Sequence, residues 1–171
     1  LLGFSAIRSL ALGLGMAQTL RRAAEGTDLT DFWRHAIHVA AGARNLARQS
    51  GRVEPEEAFV AGLLHDLGRL VLETVSPGYH AQLRGVTADD LLEAEARVVG
   101  MAHTRAGQKI VQQWHLPTRL AHVIRFHHHP TQWRHDQTLL TPTGMLADQM
   151  DRGRDRSCEP PATEPERAIM A

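Results

Sequence analysis

Seven side chains spread along this chain are of the kinds that hold divalent cations: His35, the adjacent His65 and Asp66, His103, the adjacent His127 and His128, and Asp148. Imidazole nitrogen suits iron, zinc, nickel and copper, while carboxylate oxygen suits manganese, magnesium and calcium. Ligands this far apart in sequence share a cation only if folding gathers them, as in sites built between the helices of a bundle. One such histidine alone is more often a core residue bonded to a backbone carbonyl. The set together is explained more simply by one or two shared cations. His38, His80, His115, His122, His129 and His135 have no pattern that brings them to the same place. Asp31, one turn before His35, reads more naturally as a helix-capping carboxylate than as an extra ligand.

The elements that must position these residues read as helices, with no strand pattern. Thr27 to Asp31 offers several capping residues before a helix over Phe32 to Gln49, which Gly51 ends. His35 shares its inward side with Phe32, Ala36, Val39 and Leu46. Pro55 opens a second helix expected to run to about Val75. In it Val60, Leu63, Leu64, Leu67 and Val71 make an apolar stripe, and His65 and Asp66 fall on another face with Ala58, Gly62 and Arg69. That arrangement predicts one face in a core and the other toward a polar cavity. A short piece is expected over Tyr79 to Arg84, then an acidic helix, Ala88 to Val99, capped by Thr87. His103, Ala106, Gly107, Ile110, Val111 and Trp114 repeat at helical spacing, so His103 starts an inward face. Leu120, Ile124 and His127 do the same in a helix opened by Pro117. A last helix is placed over Leu139 to Met150, followed by a mobile polar tail over 151–171.

Composition narrows the function classes. The 19 basic and 19 acidic residues cancel, so no basic field argues for nucleic acid or for an anionic membrane. One cysteine, Cys158, cannot form an internal disulfide, which fits a reducing cytoplasm. The opening run LLGFSAIRSLALGLGMA lacks the cationic flank of a signal peptide, and Arg8 interrupts it as a membrane span. It reads as a core helix with Ile7, Leu10, Leu14 and Ala17 on one side. Its neighbours are expected upstream of Leu1, which would leave an apolar patch on this piece alone.

The segments FWRHAIHVA, EEAFVAGLLHDLGRLVL, EARVVGMAHTRAGQKIVQQWHLP and VIRFHHHP together resemble the HDOD family, a branch of the HD superfamily. The resemblance implies an all-α HD-superfamily helical bundle over 1–150, with the N-terminal part of the domain missing. It implies a bacterial signalling module acting through protein partners or fused signalling domains. On the same basis His35, His65, Asp66 and Asp148 match the core metal set of the superfamily. His103, His127 and His128 match the additional histidines of the related HD-GYP phosphodiesterases. The Gly-Tyr-Pro segment expected after the histidine pair is replaced by HHHPTQWRHDQ, which argues against cyclic-di-GMP as substrate. The expected cofactor is one or two divalent ions, with iron or manganese favoured. Two functions follow: an output module with a metal site, or a metal-dependent phosphohydrolase in which Arg69 contacts a phosphate. A third, nucleotide sensing without turnover, stays open beside them.

Overall fold

The structure is a computed structural model that describes residues 29–87 and 90–129, together with the helical positions Ile7, Ala11, Gly15 and Gln18. Every regular element among the described residues is an α-helix: α1 (Thr30–Ser50), α2 (Pro55–Leu64), α3 (Leu67–Val75), α4 (Tyr79–Gln82), α5 (Leu91–Val99), α6 (His103–Gln113) and α7 (Thr118–Phe126). None of them is long and apolar enough to cross a membrane. Asp148, the helix expected over Leu139 to Met150 and the tail lie outside the described residues, as do Leu10, Leu14 and Ala17. Ile7 is described and is 48% exposed.

In helix α1, Ala36, Val39, Ala40, Ala43 and Ala47 make the buried stripe. Alanines there let α2 come close. A methyl group on Gly62 would lie 2.8 Å from the Ala40 Cα, so the two backbones nearly touch. The end of α1 is set by Gly51, which adopts φ 63° and donates its N–H to the Ala47 carbonyl at 3.0 Å. At its start Leu29 occupies the N-cap position without a side-chain hydrogen bond, and Thr27 and Asp28, among the capping residues expected there, lie outside the described residues.

Pro55 opens α2 as expected, but the single helix predicted from Pro55 to Val75 is two. The chain leaves helical geometry at Asp66 (φ −96°, ψ 9°), and α3 restarts at Leu67. The reason lies in the carboxylate: it sits at an N-cap position yet makes no cap bond, because it turns toward four histidines instead. The one-sided stripe also needs correction. Ala58, Val60, Ala61, Gly62, Leu63 and Leu64 are all buried, so α2 is covered all round, with α1 and α7 packed against it.

The second layer is α3 against α6, with α7 beside α6. Gly68 and Gly107 meet at the α3–α6 crossing. A Cβ on Gly68 would fall 1.9 Å from the His103 carbonyl oxygen, so backbone packs on backbone there. Helix α6 ends in a full Schellman motif: the His115 N–H bonds the Gln112 carbonyl and the Leu116 N–H bonds the Val111 carbonyl, each at 3.0 Å. His115 takes the left-handed position (φ 55°) usually given to glycine. The acidic helix α5 begins at Leu91 rather than Ala88, and the Thr87 hydroxyl accepts the Asp90 N–H at 3.3 Å just ahead of it.

Candidate metal centre

The break between α2 and α3 places Asp66 where α1, α6 and α7 present their histidines. His65, Asp66, His103 and His127 are each 1% exposed or less. The Asp66 Oδ1 lies 3.2 Å from His103 Nε2, 3.3 Å from His127 Nε2 and 3.7 Å from His65 Nε2. Its Oδ2 lies 4.0 Å from His35 Nε2 and 3.2 Å from Arg69 Nη1. His128 stacks beside His127, with ring centroids 4.4 Å apart. Six of the seven candidate residues therefore meet; the seventh, Asp148, is outside the described residues.

They meet as two overlapping groups. Asp66, His103, His127 and His128 form one, and His35, His65 and Asp66 form the other; within each group the ligand atoms lie within 4.8 Å of one another. Ligands on opposite sides of a cation at about 2.1 Å stand about 4.2 Å apart. Separations within 4.8 Å are therefore of the order that a shared cation requires. The donor chemistry fits as well. His65 donates its Nδ1–H to the Gly62 carbonyl at 2.7 Å, and His127 donates its own to the Ile124 carbonyl at 3.0 Å. Histidines that ligate metals are typically fixed through the other ring nitrogen in this way.

His103 is held by a carboxylate. Glu95, fully buried on α5, accepts the His103 backbone N–H at 2.7 Å and its Nδ1–H at 2.7 and 2.9 Å. The Tyr79 hydroxyl donates to the same carboxylate at 3.1 Å. Burial by itself would raise the Glu95 carboxyl, but the bonds from His103 and Tyr79 outweigh it and hold it below its ordinary value. Asp66 behaves alike: burial opposes its charge, yet His65, His103 and His127 hold it well below the usual carboxylate range. Burial disfavours the charged form of His103 too, but Asp66 and Glu95 flank its two nitrogens and raise its affinity for a proton. Burial wins at His127, which is pushed down to about 4 and is neutral at physiological pH, the form that ligates.

Arg69, placed at the site by sequence, stands over Asp66 and also donates Nε–H to the Tyr79 hydroxyl at 3.4 Å. Asp31, read as a helix-capping carboxylate, is 86% exposed in the first turn of α1 and pairs with Arg34 at 3.2 Å, away from the site. His80, outside the expected set, bonds Glu73 at 2.6 Å. Sequence reasoning missed Glu95 and Tyr79. Glu95 had a usable signal, since Leu91, Ala94 and Glu95 repeat at buried-face spacing inside what reads as a solvated acidic helix.

The profile of the HDOD domain matches residues 1–130. The chain belongs to the HDOD family. This HDOD domain is 26% identical over 132 residues to an uncharacterized protein of Treponema pallidum, covering 74% of the chain and 25% of that relative. Among solved structures it is similar to a candidate phosphohydrolase from Shewanella amazonensis (30% identity, TM-score 0.65, 77% of this chain and 49% of that one). It is also similar to a candidate signal transduction protein from Marinobacter aquaeolei (25% identity, TM-score 0.70, 96% of this chain and 38% of that one). The HDOD domain thus spans less than half the length of each of these proteins.

Proposed function

We propose that this HDOD domain is a signalling output module that acts through protein partners or fused signalling domains and carries a divalent-metal site in its core. The observation that carries the reading is burial. His65, Asp66, His103 and His127 are closed off at 1% exposure or less, and the half-buried His35, Arg69 and His128, the first two with side chains 21% and 27% exposed, give the site its solvent edge. Cations held there would brace four helices, which suits a scaffold better than a pocket that must admit and release a phosphoester. The cation set is one or two ions, iron or manganese by ligand class, held by His35, His65, Asp66, His103, His127 and His128, with Asp148 as a further carboxylate. A cytoplasmic setting accompanies this reading.

A second reading has its own support: Asp66 is common to both ligand groups, the arrangement expected of a carboxylate between two cations, and a 30% identical neighbour is described as a candidate phosphohydrolase. Paired cations would supply an activated water and neutralise a phosphoryl oxygen. The protein's own part would be the Arg69 guanidinium, anchored by Asp66 and Tyr79 and partly open to solvent, contacting a phosphate. Metal analysis of anaerobically purified protein, followed by assay with bis-p-nitrophenyl phosphate and Mn²⁺, separates the two. The module reading expects retained metal without turnover. Turnover that disappears in Asp66→Ala would establish the hydrolase, and absence of metal would remove both.

A further inference from the structure

Five buried or half-buried side chains close a ring around one flank of the metal centre. The Asp66 carboxylate receives Arg69 Nη1–H at 3.2 Å. Arg69 Nε–H reaches the Tyr79 hydroxyl at 3.4 Å. That hydroxyl donates to Glu95 Oε1 at 3.1 Å, and Glu95 holds His103 Nδ1 at 2.7 Å. His103 Nε2 returns to Asp66 Oδ1 at 3.2 Å. Tyr79 is the link between the two halves of this ring, the carboxylate side on α3 and the imidazole side on α5 and α6. It is fully buried and is the chain's single tyrosine.

A buried phenol could be placed here for packing alone, and a phenylalanine would then serve. Two features argue otherwise. The hydroxyl is used in both senses, accepting from a guanidinium and donating to a carboxylate. Both of its partners bind directly to candidate ligands. Without it, Glu95 loses one of the donors that balance its buried charge, and Arg69 loses the group that fixes its reach to Asp66. We propose that Tyr79 is a positioning residue that sets Asp66 and His103 in register with each other for cation binding, an inference that rests on the metal reading above. Outer partners of metal-ligating histidines commonly change affinity by about 10- to 100-fold when removed.

The test is Tyr79→Phe, which deletes one oxygen and keeps the ring. ¹⁵N-histidine spectra of the metal-free protein should show the His103 nitrogens displaced while His65, anchored on the Gly62 carbonyl, stays in place. Zn²⁺ titration of the same samples should show affinity weakened about 10-fold. Unmoved His103 signals overturn the proposal. So does equal movement of every imidazole, the mark of general loosening, and so does a shifted His103 with unchanged Zn²⁺ affinity. If the variant does not fold, 3-fluorotyrosine at this single tyrosine keeps the hydroxyl but makes it more acidic and must displace the same His103 signals. Wild-type protein that takes up no Zn²⁺ sinks the metal reading itself, and the His103 displacement then decides whether Tyr79 positions the pair.

Discussion

The two ligand groups that share Asp66 are held in different ways. His35 and His65 come from α1 and the end of α2, and His65 leans on a backbone carbonyl. His103, on the other flank, is held by the buried carboxylate Glu95, which is itself held by Tyr79. A carbonyl orients a ring; a carboxylate also makes it a stronger base and ligand. The first group keeps a solvent edge at His35, whereas His103 has none. The contrast teaches that similar ligands need not bind alike: His65, like His127, is arranged by local backbone, whereas His103 is held by a charge brought from a separate helix.

The largest effect is expected where the groups join. Asp66→Ala should reduce bound metal to background at both, measured by elemental analysis beside a thermal melt. Metal content equal to wild type would mean that the carboxylate holds the histidines only. Next comes the difference between flanks. His103→Ala strands a buried Glu95 charge and should cost about 3–5 kcal/mol in denaturant unfolding, as breaking a buried pair does. His35→Ala, at the solvent edge, should cost about 1 kcal/mol or less while still lowering metal content. Equal destabilisation by the two would erase the proposed asymmetry.

The smallest effect concerns a pair outside both groups. Glu73 accepts the Gly78 and His80 N–H groups and the His80 ring, and these bonds, against burial, hold its carboxyl below the ordinary value. Burial, aided by Arg69, lowers His80 despite Glu73. Both folded-state values lie below the unfolded ones, so both contributions are complete above about pH 6.5. That of His80 is lost as pH falls below that value, and that of Glu73 as pH falls below about 4.5. Melts of metal-free protein should therefore drop on acidification, and below about pH 4.5 less steeply in Glu73→Gln. An identical slope in the variant would remove Glu73 from the account.

Helices were legible because their phases and stops are local. Pro55, Gly51 and the His115-Leu116-Pro117 stop sit close to the observed boundaries. The candidate ligands His35, His103 and His127 were legible because each lies on an apolar stripe, so that burial could be inferred from spacing, whereas His65 was placed with Asp66 on a face away from its helix's stripe, toward a polar cavity. The break at Asp66 was not, since only the gathered histidines draw its carboxylate away from a capping role, and those arrive from distant sequence. Glu95 and Tyr79 were hidden for the same reason. Their roles are partnerships with residues 8 and 16 positions away or more, set by how α4 and α5 dock rather than by any local pattern.

The contact of Gly68 with the backbone of α6 carries a consequence for how such a domain diverges. A single methyl group at position 68 meets the His103 carbonyl oxygen, and no rotamer of a flexible side chain stands in between to yield. Relief requires sliding α3 against α6, and Asp66 and His103 ride on those two backbones. A lineage could therefore keep every candidate ligand in its sequence and still part Asp66 from His103 in one nucleotide change, so position 68 carries information about the pair that the histidines themselves do not.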